Sequence, residues 1–263
     1  MFIIESSEVY HSQSGENLSS HLLKDFRKSP LLYKRKVMGL IPDVDRPAYV
    51  IGRAAHTLIL EGRETYDVEY LVADGPINEK TGKPYGTTSK KYQDWLAKQT
   101  KQILTSAQSD LVEAMGSSIN TSPGLADLVG HECGTAEGVL RTEYHGTPCQ
   151  IRCDLYIDHA DGVLVDLKTC DDLTWFESDA RRYQYQHQLA FYRAVLEKVT
   201  GRRPHVVLVG VEKKEPYRAG VFRVGSDLLD GARVENESAI EQLIQCQKTN
   251  VWPSGYEEIR TFS

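Results

Sequence analysis

The sequence predicts an α/β layered domain, and three observations carry that expectation. Helical periodicity dominates the first half of the chain. Three strand-like segments then follow one another from about residue 136 to 170. A helix, two further strands and a last helix close the pattern. With 263 residues, 40% of them hydrophobic, one sizeable core can be buried. The expectation is a single domain over 1–263, with a helical part at about 17–130 and a sheet-and-helix part at about 131–250.

In order along the chain, Leu18 to Phe26 reads as a helix, with Asn17 or Ser19 as its N-cap and Ser29-Pro30 as its stop. The stretch YVIGRAAHTLILEG is a second helix closed by Gly62. The segment 74–90, rich in Gly, Pro, Lys and Thr, is a loop. From Ser89 to Ile119 the pattern is mostly helical, and SPGLADLVG is a short helix or turn. AEGVLRTEYHG, TPCQIRCDLYIDHADG and VLVDLKTC are three consecutive antiparallel strands. SDARRYQYQHQLAFYRAVLEKVTG is one long helix, with Ser178 as N-cap and Gly201 just past its end. HVVLVGVEK and YRAGVFRVG are two more strands, DLLDGARVENESAIEQLIQCQKTN is a final helix irregular near Gly231, and VWPSGYEEIRTFS is a loop.

Composition excludes several classes. No apolar run is long enough to cross a membrane, and the N-terminal stretch lacks the basic region and cleavage site of a secretory signal. A cytoplasmic protein is expected. Five cysteines without a CxxC pair argue against structural zinc and against a disulfide framework. There is no Walker-type phosphate loop, so no ATP is expected to be consumed. The net charge of −6 argues against a generally basic coat but leaves room for a local basic groove.

The stretch VLVDLKTC holds an acid and a base on one face of an apolar strand. A two-residue turn at His145-Gly146 would place Glu137 opposite Asp154. A three-residue turn at Ala160-Asp161-Gly162 would place Asp154 opposite Lys168, and Tyr156 opposite Asp166. Since residues i and i+2 share a face, Glu137, Asp154, Asp166 and Lys168 should gather there. Like charges this close repel. A divalent cation relieves that, and carboxylate oxygens suit Mg²⁺ or Mn²⁺. The alternative is a solvated polar face of acid–lysine pairs.

Asp154 followed by Asp166-Leu167-Lys168 resembles the pattern of the PD-(D/E)xK nucleases, whose core is a mixed central sheet flanked by helices. Gly52-Arg53-Ala54-Ala55-His56 is similar to the first motif of their RecB-like branch, a helix ending in a metal-binding histidine. Gln188-Leu189-Ala190-Phe191-Tyr192 is similar to its last, Q-L-x-x-Y. From about residue 17 onward the chain resembles the RecE-like exonucleases (exodeoxyribonuclease VIII and its phage relatives), through SPLLYKRK, GRAAHTLILEG, DLKTCDDLTWFESDARRYQYQHQLAFY and VWPSGY.

That resemblance implies a bacterial or phage-encoded, metal-dependent, ATP-independent exonuclease. It would digest the 5′-ended strand of linear double-stranded DNA and leave 3′ single strands for a RecT-like annealing protein, acting as a toroidal homotetramer. By the same resemblance His56, Asp154 and Asp166 are metal ligands, joined by the Leu167 carbonyl. Lys168 orients or activates water, or stabilises charge on phosphate, and Glu137 serves a second metal or the nucleophile. Gln188 and Tyr192 share a helix face toward the scissile phosphate or the lysine, and Gln184 extends that stripe. Arg181, Arg182, Tyr183 and Tyr185 near the helix start are expected to meet DNA. The iron–sulfur cluster of some RecB-like nucleases is not expected, because only Cys246 lies C-terminally. Two alternatives stay open: a structure-specific or single-strand endonuclease on the same core, and a non-catalytic DNA-end-binding module.

Overall fold

The computed structural model describes residues 2–42 and 47–261; the last two residues of the expected C-terminal loop lie outside them. Its centre is a five-stranded mixed sheet of β1 (Gly134–Tyr144), β2 (Thr147–Ile157), β3 (Val163–Cys170), β4 (His205–Glu212) and β5 (Ala219–Arg223), in that spatial order. Only the β3–β4 pair is parallel; the others are antiparallel. A parallel pair needs a crossover. Helix α4 (Tyr185–Thr200) lies within it.

Period-2 patterning sends the two sides of β3 and β4 into two cores. Val165, Leu167, Val207, Val209 and Val211 pack with Ala54 and Ala55 of α2 (Pro47–His56) and with Val112, Met115 and Ile119 of α3 (Ser106–Thr121). Leu164, Val206 and Leu208 pack on the other side. Their partners come from α4, from α1 (Ser20–Lys28) and from α5 (Ser226–Thr249). The sheet is thus covered on both faces, as an α/β layer requires. No helix among the described residues is long and apolar enough to cross a membrane.

Most local expectations match the observed elements. Ser178, expected as an N-cap, lies inside the helix Phe176–Arg182, and the expected loop 74–90 holds a short antiparallel ladder of Ile77–Asn78 with Lys83–Pro84. Four larger differences follow. Helix α1 is capped by the Ser19 hydroxyl, and Ser29 ends it while capping the following helix Pro30–Val37. The segment read as helical from Ser89 to Ile119 is interrupted by a strand, Gln102–Leu104, paired in parallel with Tyr70–Val72. Its last two residues, Ile103 and Leu104, are buried, and burial there outweighs local propensity. The long helix after β3 is two helices, Phe176–Arg182 and α4. The break falls at Gln184, in the left-handed region at φ 61°, so Gln184 does not extend the Gln188 stripe. Helix α5 runs unbroken through Gly231, because neighbouring Leu229 and Ala232 anchor it in the core and offset the poor propensity of glycine.

The fourth difference is the second hairpin. The first hairpin turns at His145 and Gly146, both with positive φ, as a two-residue type I′ loop demands, and β1 and β2 keep the expected register. In the second, Tyr156 faces Leu164 and Leu155 faces Val165. The register is therefore two residues away from Tyr156 opposite Asp166. The loop is longer than expected: Gly162 N–H bonds the His159 carbonyl at 2.9 Å, and both Asp158 and His159 leave the ladder. A shift of two preserves the facing of every side chain.

Candidate active site

Two irregularities in the sheet create the site. The β1–β2 ladder opens once, at Glu137 and Asp154, where Glu137 adopts a left-handed φ of 51°. For a non-glycine residue that conformation is strained, and such strain clusters at functional sites. The in–out alternation slips there too. Cys149, Ile151 and Cys153 share a core with Tyr156, whereas Leu155 and Ile157 enter the opposite one. The second irregularity is the end of the β2–β3 ladder at Leu155 and Val165. Past that point the strands part, and the Asp154 carboxylate takes the place of a strand partner by accepting the Leu167 N–H at 2.8 Å.

Into this opening α2 delivers its last residue. The helix continues past His56 as a π turn, Thr57–Glu61, in which Gly62 N–H reaches the Thr57 carbonyl; such wide turns recur at functional sites. His56 Nδ1 stands 3.5 Å from Asp154 Oδ2. One ligand atom each from His56, Glu137 and Asp154 lies within 4.8 Å of the others. Asp166 and Lys168 sit beside this cluster on β3, with Lys168 Nζ 2.5 Å from Asp166 Oδ2. Asp166 is 1% exposed. Its other oxygen accepts the Gln188 side-chain N–H at 3.3 Å, from the first turns of α4.

The electrostatics follow from burial. Desolvation, then repulsion from Asp154, pushes Glu137 up to about 8, against the pull of Arg152. Asp166 is pushed up to about 7 by burial; Lys168 opposes this and Asp154 adds to it. Burial disfavours the charge on Lys168, but Asp166 and Asp154 outweigh it and hold the ammonium above its ordinary range. His56 is held below its ordinary value by burial, despite Asp154 and a hydrogen bond with the Leu167 backbone. Its imidazole is therefore neutral, the form that binds metal. An imidazole nitrogen with several carboxylate oxygens, short of cationic compensation, is a donor set that fits Mg²⁺ or Mn²⁺.

The remaining expected residues are placed unequally. Tyr185 puts its ring 5.2 Å from Lys168 Nζ and stacks on Tyr183. Gln184 accepts from Arg27 Nη2 at 2.7 Å. Arg181 and Arg182 are exposed, and Arg182 pairs with Asp179. Tyr192 is buried, 4% exposed; its hydroxyl bonds Ser20, and it lies near enough to Asp154 to feel that charge. Leu167 buries its side chain while its peptide group meets Asp154 and His56. Sequence reasoning missed Arg152, whose Nε lies 2.5 Å from Glu137 Oε2. The signal was present: Arg152 faces Val139, which places it diagonally across from Glu137.

The family model described as a PDDEXK-like domain of unknown function, DUF3799, matches residues 19–262. The chain belongs to this PDDEXK-like family. Among solved structures, the fold is similar to one described as "Putative exonuclease" from Eubacterium rectale. The TM-score is 0.69 with 17% identity, over 99% of this chain and 96% of that one. A partial likeness, at a TM-score of 0.31 and 15% identity over 62% of this chain and 88% of the other, links it to LHK-Exo in complex with dAMP. No curated protein matches the chain. The DUF3799 match spans His56, Glu137, Asp154, Asp166 and Lys168 together.

Proposed function

We propose that the protein is a metal-dependent, ATP-independent exonuclease that digests the 5′-ended strand of linear double-stranded DNA and leaves 3′ single strands for annealing. The observation that carries this reading is the gathering of His56, Glu137 and Asp154 beside the Asp166–Lys168 pair. The PDDEXK-like family and a fold shared with a structure described as a "Putative exonuclease" support it.

His56, Glu137 and Asp154 would hold the metal, with Asp166 beside them. A divalent ion there would polarise the phosphoryl oxygens and lower the pKa of water. Lys168 stays protonated between two carboxylates, so it stabilises negative charge on phosphate rather than removing a proton. Gln188 fixes one Asp166 oxygen, and Arg152 braces Glu137. Tyr185, stacked with Tyr183 beside Lys168, offers a flat face to a base near the cleaved bond, and exposed Arg181 offers its charge to the backbone. A RecT-like partner and a ring-shaped tetramer belong to the same proposal, and mass measurement in solution tests the ring.

Digestion of end-labelled linear duplex, with and without Mg²⁺, tests metal need and direction together. The expected result is Mg²⁺-dependent release of mononucleotides from 5′ ends, with closed circles left intact. Nicking of closed circles would support the endonuclease alternative. Binding to ends without cleavage would support the non-catalytic one.

A further inference from the structure

A second pocket, of about 380 Å³, lies away from these residues, where the start of β4 and the end of β5 meet α4 and α5. Arg193, Arg203, Arg223 and His205 line it, and no acidic residue does. Helical spacing from Leu189 turns Arg193 toward the core, and the residue is only 3% exposed. A guanidinium buried that deeply needs compensation. Its carboxylate is Asp230, reached by Nη2 at 2.6 Å. Arg203 binds the same Asp230 oxygen. Two guanidinium groups thus share one carboxylate. Arg223 has neither hydrogen-bond nor ion-pair partner for its side chain among the described residues, and it adds a third positive charge. Burial and the like charge of Arg203 together hold Arg193 below its ordinary range, as expected where cations outnumber anions. Asp227 stands one residue beyond the pocket's Ser226, in the first turn of α5 and exposed, and Glu197 acts on Arg193 from the same helix but is engaged by Arg233.

Guanidinium forks match the oxygens of a phosphoryl group and can bind them two at a time. We propose that this pocket binds phosphate, either as the backbone phosphate of a polynucleotide or as the free ion, at a site separate from the carboxylate cluster. The proposal does not depend on the nuclease reading, because its first test needs neither metal nor cleavage.

Inorganic phosphate is titrated into metal-free protein by calorimetry, with wild type, R223Q and R35Q compared. Arg223 gives up no intramolecular partner, so R223Q should fold as the wild type does. Arg35, on the exposed surface of the helix Pro30–Val37, controls for the loss of one charge. The expected result is saturable uptake by wild type and R35Q, weakened about tenfold or more in R223Q, the size of one charged hydrogen bond. Absence of saturable uptake by wild type, or equal affinity in R223Q, or equal weakening in R35Q, overturns the proposal. Metal-free binding of a short duplex then identifies the source. A loss in R223Q beyond that of R35Q assigns the phosphate to the DNA backbone; equal affinities assign it to the free ion.

Discussion

Replacing Asp154 by Asn should stabilise the metal-free protein and abolish its gain from metal. Asn retains an oxygen that can accept the Leu167 N–H now held at 2.8 Å, so the splayed strands keep their tie. The negative charge is removed. With ligand oxygens of Asp154 and Glu137 within 4.8 Å, two ionised carboxylates repel by about 3 kcal/mol at an effective dielectric constant near 20. Losing the attraction of Asp154 to Lys168, and weakening the Leu167 bond, offsets about 2 kcal/mol of that relief. The net gain is about 1 kcal/mol, or roughly 2–4 °C in Tm for a chain of this size. Wild type in Mn²⁺ at about a hundred times its Kd gains about 2.7 kcal/mol, a larger shift. Thermal melts at pH 9, where Glu137 is ionised in the wild type, with chelator and with Mn²⁺, should therefore reverse in order. D154N melts at or above wild type without metal and below it with metal. A variant that melts lower in chelator, and still shows the full Mn²⁺ shift, would refute the reasoning.

Other perturbations separate the roles of neighbouring residues. K168M should lower turnover by about a hundredfold or more while keeping the Mn²⁺ shift. Its melt should fall more at pH 8 than at pH 6, because the buried Asp166 then loses its cation; an unchanged melt would mean that the pair contributes nothing to the fold. Glu137 is raised from 4.5 to about 8 and Asp166 from 3.8 to about 7, so between about pH 4 and 8 the folded state binds more protons than the unfolded chain. These groups thus erode metal-free stability as pH rises through that window. Metal reverses the loss, so the Mn²⁺ shift should be larger at pH 8 than at pH 6, and a shift independent of pH would contradict it. Y192F removes a buried hydroxyl bonded to Ser20 and should cost about 1 kcal/mol of stability with cleavage intact. Cleavage lost at an unchanged melt would place Tyr192 in the chemistry instead.

Strand existence was legible because β3 and β4 are short runs rich in Val and Leu bounded by turn residues, as strands buried on both faces are, and the I′ turn at His145-Gly146 set the first register. The second register escaped by two residues, because nothing local shows that Asp158 and His159 leave the ladder; tertiary pairing of β3 with β4 decides it. Parity survived the slip, and Asp154 still meets the β3 backbone beside Asp166. The grouping of Glu137 with His56 and Asp154 rests on a left-handed residue in mid-strand, which no propensity announces. The break at Gln184 was equally silent. Its left-handed conformation is held by contacts such as that from Arg27, far away in sequence.

The central claim is that His56, Glu137 and Asp154 hold a divalent ion beside Asp166 and Lys168. Anomalous diffraction from Mn²⁺-soaked crystals tests it most directly. The account predicts a peak within ligand distance of His56 Nδ1 and the Asp154 carboxylate, lost in D154N. A peak elsewhere, or none in wild type at millimolar Mn²⁺, would contradict it.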